Sequence, residues 1–360
     1  MKHEKETISR IAPLDGWRTI SVALVIFCHL TTNSNVAITV PDEFWRAVIT
    51  PILNELGKLG VGIFFVISGY VITGGLIREF RNNGNISVKN FYLRRAIRII
   101  PPLFLYVISI VILARIKLIP ETAFSTLNAL TFTCNISTVS CGGWFGSHMW
   151  SLSYEEQFYL VIPFVFFLLW RSMSSLFFSI PIFLAVLTLI TFPLNEPVSS
   201  YFGHFIAIAT GVAWASREQE VLYVCQNVNK FAALVAPLLL IAAGRLESTR
   251  YWPLSALSVP IIIMFMLCYS SFVSPRISNA LSNKQITYFG RISYSIYLWQ
   301  QLATNRFNDA GVLFYIVSIS SCLLLSAVSF RWIESPLISF GHYITRRRSY
   351  PMGSDPKSTL

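Results

Sequence analysis

The feature that most constrains this sequence is a series of apolar segments, each of a length suited to a membrane-crossing helix. A transmembrane helix needs about 20 predominantly apolar residues. Charged residues make up only 12% of the chain, whereas soluble domains carry about 25%, so an ordinary soluble fold and a disordered chain are both excluded. We therefore predict an all-α, polytopic membrane helix bundle with ten spans: Leu14–Thr32, Leu56–Ile77, Ile99–Leu118, Tyr154–Trp170, Ser175–Phe192, Tyr201–Ser216, Lys230–Gly244, Leu254–Val273, Thr287–Asn305 and Val312–Ile333.

The distribution of basic residues predicts how these spans are oriented. The sequence holds 28 lysines and arginines against 17 acidic residues, a net charge of +11. With the N-terminus inside, 21 of the 28 basic residues fall on inner segments and seven on outer ones, in agreement with the positive-inside rule. Both termini are therefore predicted to be cytoplasmic, and the basic excess is assigned to topology and membrane lipid rather than to nucleic acid.

The expected organisation is a cytoplasmic segment over 1–13, a transmembrane domain over 14–338 and a basic cytoplasmic tail over 339–360. The first 13 residues are polar and mixed in charge, so we expect no cleavable signal peptide. No cysteine or histidine pattern has zinc-ligand spacing, so no metal site is expected. Cys134 and Cys141 share an outer loop where a disulfide is permitted, but their spacing leaves the pairing open.

The first span carries two ionisable residues, Arg18 and His29, which are costly inside a bilayer and therefore informative. They are eleven positions apart, so they share a helix face about 16 Å apart along its axis. Arg18 lies at the predicted cytoplasmic end and His29 in the outer half. The alternative explanations are an interfacial arginine that reaches towards the headgroups and a histidine that bonds to a neighbouring helix.

Three arginines, Arg94, Arg95 and Arg98, precede the third span, and Arg94 and Arg98 are predicted to share one helix face. Guanidinium groups at a membrane surface are suited to phosphate or pyrophosphate, which arginine binds through two parallel hydrogen bonds. Anchoring to anionic lipid is the alternative reading, which the cluster taken alone favours.

The fourth span opens on the outer side with Trp150-Ser151-Leu152-Ser153-Tyr154-Glu155-Glu156. Ser153 and Glu156 have capping-box spacing, which predicts a helix start at Ser153. Glu155 then enters an apolar helix without a structural role, so we expect it to pair with a base or to hold a substrate hydroxyl. Simple stabilisation of a helix N-terminus is the alternative.

Two further motifs place small or polar residues inside spans. Ser68-Gly69 predicts close helix packing. The segment from Gly290 onwards places Gly290, Tyr294, Tyr297 and Gln301 on one face, a polar stripe able to line a cavity, although an aromatic belt also accounts for the tyrosines.

Taken together, these segments resemble the integral-membrane acyltransferase-3 family over nearly the whole chain, from about Ile11 to about Ile338. Five motifs match in order: Leu14-Asp15-Gly16-Trp17-Arg18 through His29, Phe64-Phe65-x-x-Ser68-Gly69, Arg94-Arg95-x-x-Arg98-x-x-Pro101, Trp150-Ser151-Leu152-Ser153-x-Glu155, and Ser293-Tyr294-x-x-Tyr297-Leu298. That family includes enzymes that O-acetylate bacterial surface polysaccharides.

The resemblance implies a multi-pass enzyme of the bacterial inner membrane that transfers an acyl group, most simply acetyl. The donor would be cytoplasmic acetyl-CoA or another acyl-CoA, a substrate rather than a bound cofactor. The acceptor would be a sugar hydroxyl of a lipid-linked or surface polysaccharide such as lipopolysaccharide O-antigen. By resemblance and placement we assign catalysis to His29 and Glu155, acyl-CoA binding to Arg18, Arg94, Arg95 and Arg98, and cavity lining to Trp150, Ser153, Ser293, Tyr294 and Tyr297.

The chain departs from the family at one position of interest. Many members end the last motif with histidine, whereas this chain has Gln300, so His29 is expected to move the proton alone or with help from His148. A proton- or solute-coupled transporter is the alternative function, because intramembrane ionisable residues are also expected there. That alternative predicts inverted pairs of broken helices, and the sequence shows no such pair.

Overall fold

The structure is a computed structural model that describes residues 11–32, 43–119, 125–136, 141, 143–169, 174–191, 196–246, 252–304 and 312–348. Within these ranges every regular element is helical, so the predicted all-α class is confirmed. The helices are α1 (Ala12–Thr32), α2 (Glu43–Asn83), α3 (Val88–Arg115), α4 (Thr126–Leu130), α5 (Gly143–Gly146), α6 (Met149–Leu169), α7 (Ser174–Thr191), α8 (Glu196–Ser216), α9 (Glu218–Asn227), α10 (Lys230–Gly244), α11 (Trp252–Cys268), α12 (Pro275–Leu281), α13 (Lys284–Arg291), α14 (Ser293–Ala303), α15 (Val312–Ser329) and α16 (Ser335–Arg348). Two π-helical turns, Tyr269–Val273 and Phe330–Glu334, follow α11 and α15.

Several of these helices are long and apolar enough to cross a bilayer, so the chain is a multi-pass membrane protein. Among the described residues, α9 and α10 together form one further candidate span that is bent by 107°. The helices that meet both criteria without a bend are Glu55–Asn83, Val88–Arg115, Trp252–Val273 and Leu313–Thr345. The count of ten spans and the cytoplasmic position of both termini stay predictions.

Two differences from the expected spans lie in the C-terminal part of the chain. The predicted ninth span, Thr287–Asn305, is interrupted at Ile292, where α13 ends and α14 begins. Towards the C-terminus, α16 continues through the start of the predicted tail and packs against α3. Residues 1–10 and 349–360 of the predicted terminal segments lie outside the described residues.

Close backbone contacts hold the central helices together. A Cβ atom at Gly290 would collide with the backbone of Asp15, so α13 packs directly on α1. Gly69 on α2 and Gly211 on α8 meet in the same way, since a Cβ at Gly69 would overlap the carbonyl group of Ile208. The packing role predicted for Gly69 is therefore confirmed.

The distribution of side chains is inverted relative to a soluble protein. Polar residues such as Gln300 and Gln301 have 0% of their surface exposed. Apolar side chains face outward instead, among them Phe104, Ile108, Ile112, Phe164, Phe167, Leu313 and Ile316. Lipid accepts apolar side chains at the surface, and ionisable or amide groups in a membrane helix face the bundle interior. Polar side chains able to bind a ligand or carry a proton are therefore found inside the bundle.

Candidate active site

The ring of His29 lies near the end of α1, where it contacts groups from two other elements. Its Nδ1 atom is 2.7 Å from the Oε1 atom of Gln300 on α14. Its edge meets the indole of Trp144 on α5, with ring centroids 5.4 Å apart and planes at 69°. Among the described residues Nε2 has no hydrogen-bond partner. The fold therefore holds one ring nitrogen and leaves the other available to a ligand.

Gln300 is the first link of a hydrogen-bonded chain of side chains. Its Nε2 atom donates to Oε1 of Gln301 at 2.9 Å, and Nε2 of Gln301 donates to the hydroxyl of Ser147 at 2.8 Å. The Ser147 hydroxyl donates to the carbonyl of Trp144 at 3.0 Å. The indole of Trp144 in turn donates to the main-chain carbonyl of Gln301 at 2.7 Å. The two buried amides are thus paired, as buried polar groups must be.

His148 lies beside this chain, and only 3% of its surface is exposed. Its ring stands edge-on to the rings of Tyr106 and Tyr297, with both pairs of centroids 5.5 Å apart. Within the described part of the chain, neither of its ring nitrogens has a hydrogen bond of normal geometry. We call His29, His148, Gln300 and Gln301 the imidazole site.

Glu155 lies among arginines from two other helices. The Ser68 hydroxyl donates to its Oε1 atom at 2.7 Å, and the Tyr159 hydroxyl donates to its Oε2 atom at 3.3 Å. The guanidinium of Arg95 stacks over the Tyr159 ring, 5.0 Å from its centroid. The charges of Arg18 and Arg95 both act on the Glu155 carboxylate. Glu155 is therefore held on the arginine side of the bundle, while Gln300 supplies the hydrogen bond to the His29 imidazole.

The three arginines near the start of α3 have different neighbours and do not form one group. Arg94 forms an ion pair with Glu79 on α2, with a nitrogen–oxygen distance of 3.3 Å. Arg95 packs on a buried tyrosine, and the charges of Arg95 and Arg18 act on Arg98. Arg18 also pairs with Asp15 at 3.0 Å. We call Arg18, Arg95, Arg98 and Glu155 the arginine cluster.

The predicted capping box of Ser153 and Glu156 is wrong, because α6 begins four residues earlier, at Met149. Ser153 is therefore inside the helix, where its hydroxyl donates to the Met149 carbonyl at 2.9 Å. The same hydroxyl accepts from the main-chain N–H of Cys134 at 3.2 Å, and Cys134 is joined to Cys141 by a disulfide. Ser153 thus connects this disulfide loop to α6, and its role in lining a cavity stays a prediction.

Trp150 belongs to an aromatic cluster at the start of α6. Its ring is edge-on to Phe65 and Tyr154, and its centroid is 5.1 Å from that of His204 on α8. His204 stacks on Tyr154 with centroids 5.2 Å apart. Such flat faces suit stacking against a ligand ring. His204 lies in none of the sequence motifs, so no local pattern points to it.

Three residues of α14 that were expected to line a cavity, Ser293, Tyr294 and Tyr297, lie between the two sites. Ser293 is buried at the start of the helix. The Tyr294 hydroxyl donates to the main-chain carbonyl of Ile99 on α3 at 3.0 Å, next to the arginine cluster. The Tyr297 hydroxyl bonds to Ser151 and donates to the carbonyl of His148. One helix therefore contacts the surroundings of both sites.

The arginine cluster and the imidazole site lie at different positions along α1. The arginine cluster can bind an anion, and the imidazole site can accept or donate a proton. Arg18 and His29 mark the two sites, about 16 Å apart along the helix. In the described ranges no group of three or more histidine, cysteine, aspartate or glutamate side chains is placed to hold a metal ion.

Comparisons with known proteins show which family the chain is similar to. The Acyl_transf_3 family model, described as an acyltransferase domain, matches residues 11–331. Peptidoglycan O-acetyltransferase OatA of Listeria monocytogenes is 26% identical over 365 residues, covering 91% of this chain and 56% of the relative. O-acetyltransferase OatA of Staphylococcus aureus is 28% identical over 373 residues, covering 93% and 58%. The chain thus spans little more than half the length of these relatives. No solved structure matches it.

Proposed function

The chain belongs to the Acyl_transf_3 family of acyltransferase domains, and from this premise we propose that it is a membrane O-acyltransferase. It moves an acyl group, most simply acetyl, from cytoplasmic acyl-CoA to a sugar hydroxyl of an extracytoplasmic glycan. The observation that carries the proposal is His29, an imidazole inside the bundle with Nδ1 bonded to Gln300 and Nε2 without a partner among the described residues.

The donor binds at the arginine cluster. Arg18, Arg95 and Arg98 supply three positive charges next to one another, and guanidinium groups bind phosphate and pyrophosphate well. Arg94, which pairs with Glu79, contributes charge at the bundle surface rather than within the cluster. Bound there, acyl-CoA would direct its pantetheine arm along α1 towards His29, so the thioester reaches the imidazole site.

The chemical step is a balanced acyl transfer. His29 takes the proton from the acceptor hydroxyl, the hydroxyl oxygen attacks the thioester carbonyl, and the carbon–sulfur bond breaks. The imidazolium then returns the proton to the departing CoA thiolate, so His29 ends the cycle as it began. General base catalysis of this kind contributes about 10²–10⁴-fold to a rate. Transfer through an acyl-histidine is the alternative path for the same residue.

The acceptor approaches from the other side of the membrane. The aromatic cluster of Trp150, Tyr154 and His204 offers faces on which a sugar ring can stack. The family resemblance points to lipopolysaccharide O-antigen as the glycan, and the name of the Listeria relative adds peptidoglycan. O-antigen and peptidoglycan both carry sugar hydroxyls that could accept an acyl group. An assay with each glycan as the acceptor distinguishes between them.

The location follows from the same reasoning. We place the chain in the bacterial inner membrane with both termini in the cytoplasm, because basic residues concentrate on the segments that this orientation puts inside. The disulfide of Cys134 and Cys141 lies in the loop next to α5 and the imidazole site. Disulfides persist in oxidising compartments, which supports an extracytoplasmic position for that end.

A transporter is a weaker account of the same polar residues. Over the ranges that the structure describes, one bent helix pair is found, α9 with α10, whereas transporters of this kind use corresponding broken helices in two halves. Family membership favours group transfer over transport.

The test is acyl transfer in proteoliposomes from radiolabelled acetyl-CoA, with O-antigen and peptidoglycan fragments as separate acceptors. We expect His29→Ala to abolish transfer while membrane insertion and yield stay unchanged. Thr31→Ala, two residues further along α1, is the matched control and should transfer at the wild-type rate. Persistent transfer by His29→Ala would overturn the mechanism, and solute uptake without CoA release would favour the transporter.

A further inference from the structure

The hydrogen atoms along the side-chain network next to His29 all point in one direction. The starting point is Ser147, whose hydroxyl has a single hydrogen to donate. That hydrogen is directed to the Trp144 carbonyl at 3.0 Å. The Ser147 oxygen can therefore only accept from its other neighbour, Gln301, whose amide lies 2.8 Å away. The NH₂ end of the Gln301 amide must face Ser147.

This orientation passes through both glutamines. An amide donates at its nitrogen and accepts at its oxygen, so the oxygen of Gln301 faces Gln300 and accepts from its NH₂ group at 2.9 Å. The oxygen of Gln300 is then the atom 2.7 Å from Nδ1 of His29. An amide oxygen only accepts hydrogen bonds, so the shared hydrogen belongs to Nδ1.

The opposite orientation would have to turn the whole network at once. Both glutamines have 0% of their surface exposed, so neither amide can turn alone without leaving a buried group unpaired, at a cost of about 1–3 kcal/mol. Turning both amides and the Ser147 hydroxyl together would keep the amides paired but would give up the hydrogen bond from Ser147 to the Trp144 carbonyl. That bond is the contact that favours the orientation described above.

We propose that Gln300 and Gln301 are positioning residues that hold His29 in the tautomer with its hydrogen on Nδ1, so that Nε2 is the atom that removes the acceptor's proton. The inference rests on the proposed function, in which His29 is the base. When the acceptor O–H bond breaks, the new N–H bond forms at Nε2. The Nδ1–H group keeps its hydrogen and its bond to Gln300. Many members of the family that the chain resembles have a histidine at the position of Gln300. This chain has an amide there, next to the amide of Gln301.

Nitrogen NMR of the resting protein tests the tautomer directly. Histidine labelled with ¹⁵N in the ring would be incorporated, and the protein examined in bilayers at a pH that keeps imidazole neutral. The chain has five histidines, so His29→Gln identifies the signals of His29 by their loss. We expect a protonated Nδ1 and an unprotonated Nε2 in the wild type. A hydrogen on Nε2 instead would overturn the proposal.

Variants separate the hydrogen-bond role from packing. Gln300→Glu keeps an acceptor at Nδ1 and should keep the wild-type signals, whereas Gln300→Leu removes it and should give mixed tautomers. Gln301→Leu, one link further out, should also give mixed tautomers and serves if Gln300→Leu does not fold. Gln157→Leu is the matched control, because Gln157 bonds to Asn135 and Tyr201 and should leave His29 unchanged. Wild-type signals in both Gln300→Leu and Gln301→Leu would contradict the proposal.

Activity measured on the same samples distinguishes this inference from the proposed function. We expect kcat to fall about 10²–10⁴-fold in Gln300→Leu, the range reported for a lost base or a wrong tautomer, with KM for acyl-CoA unchanged. Gln300→Glu should restore most of kcat. If His29→Ala still transfers acyl groups, the proposed function fails, yet the NMR signals still decide the tautomer.

Discussion

At the scale of single residues, the neighbours of each arginine decide what it can do. Arg95 packs on the ring of Tyr159, whose hydroxyl bonds to Glu155. A charge inside a bundle is costly unless it is paired, and the nearby Glu155 carboxylate reduces that cost. Arg94 is different, since it is partly exposed and paired with Glu79. Two arginines adjacent in sequence thus have separate roles.

Substitution of these adjacent residues provides a matched test. Arg95→Ala should raise the Kd for acyl-CoA about ten- to a hundredfold, because a hydrogen bond to a charged group contributes about 1.5–3 kcal/mol. Arg94→Ala should change it less than about fivefold, since an exposed ion pair contributes at most about 1 kcal/mol. Equilibrium binding of acyl-CoA and of acceptor by detergent-purified protein measures both. If Arg95→Ala weakened donor and acceptor binding equally, a phosphate role would be contradicted.

At the scale of elements, the closest helix contacts determine where the polar side chains meet. Gly69 lets α2 approach α8 until backbone touches backbone. The preceding residue, Ser68, is thereby placed to donate to Glu155 on α6 at 2.7 Å. Small residues allow such contacts in membranes, where association depends on van der Waals packing and interhelical hydrogen bonds. Packing at Gly69 and the geometry of the arginine cluster are therefore coupled.

Two glycines of α2 test this coupling. Gly69→Ala places a methyl group against the Ile208 carbonyl and should destabilise the protein by about 1–3 kcal/mol, the usual cost of overpacking. Gly75→Ala meets no atom within 4 Å and should be neutral or stabilising by up to about 1 kcal/mol. Thermal aggregation followed by size-exclusion chromatography compares them. Equal stability of the two variants would show that α2 and α8 separate easily.

At the scale of the whole molecule, orientation gives the two sites their roles. The arginine cluster can meet cytoplasmic acyl-CoA only if the start of α3 faces the cytoplasm, and the imidazole site can meet a glycan only if the opposite end faces outward. The four cysteines not in the disulfide, Cys28, Cys225, Cys268 and Cys322, are all buried. The native chain therefore offers little background to a water-soluble thiol reagent.

Added cysteines at the two ends of the bundle test the orientation. Arg115 ends α3 and Asn82 lies near the end of α2, and both are exposed. With the N-terminus inside, Arg115→Cys should react with a membrane-impermeant maleimide on spheroplasts, and Asn82→Cys only after the membrane is opened. The unsubstituted chain serves as the control for background labelling. The reverse pattern would contradict the orientation and with it the assignment of donor and acceptor sides.

Local sequence patterns were enough to predict part of this fold. The all-α class and the packing role of Gly69 followed from local patterns, because apolar length and small residues act through the segment that carries them. The capping box at Ser153 failed, because α6 begins at Met149 and the Ser153 hydroxyl bonds to a loop instead. The Ser153 hydroxyl had more than one possible hydrogen-bond partner. The motif alone could not show which of them the folded chain would place beside it.

Apolar length and charge placement along the chain are enough to predict the membrane environment, the helical class and the ionisable residues that matter, because burying charge in lipid is costly. The partners of those residues depend on how the helices pack. Gln300 meets His29 across 271 positions, and Glu155 meets Ser68 across 87. Hydrogen bonds act over about 3 Å, and only the packing of helices brings such distant residues that close. Helix packing therefore determines which residues act together.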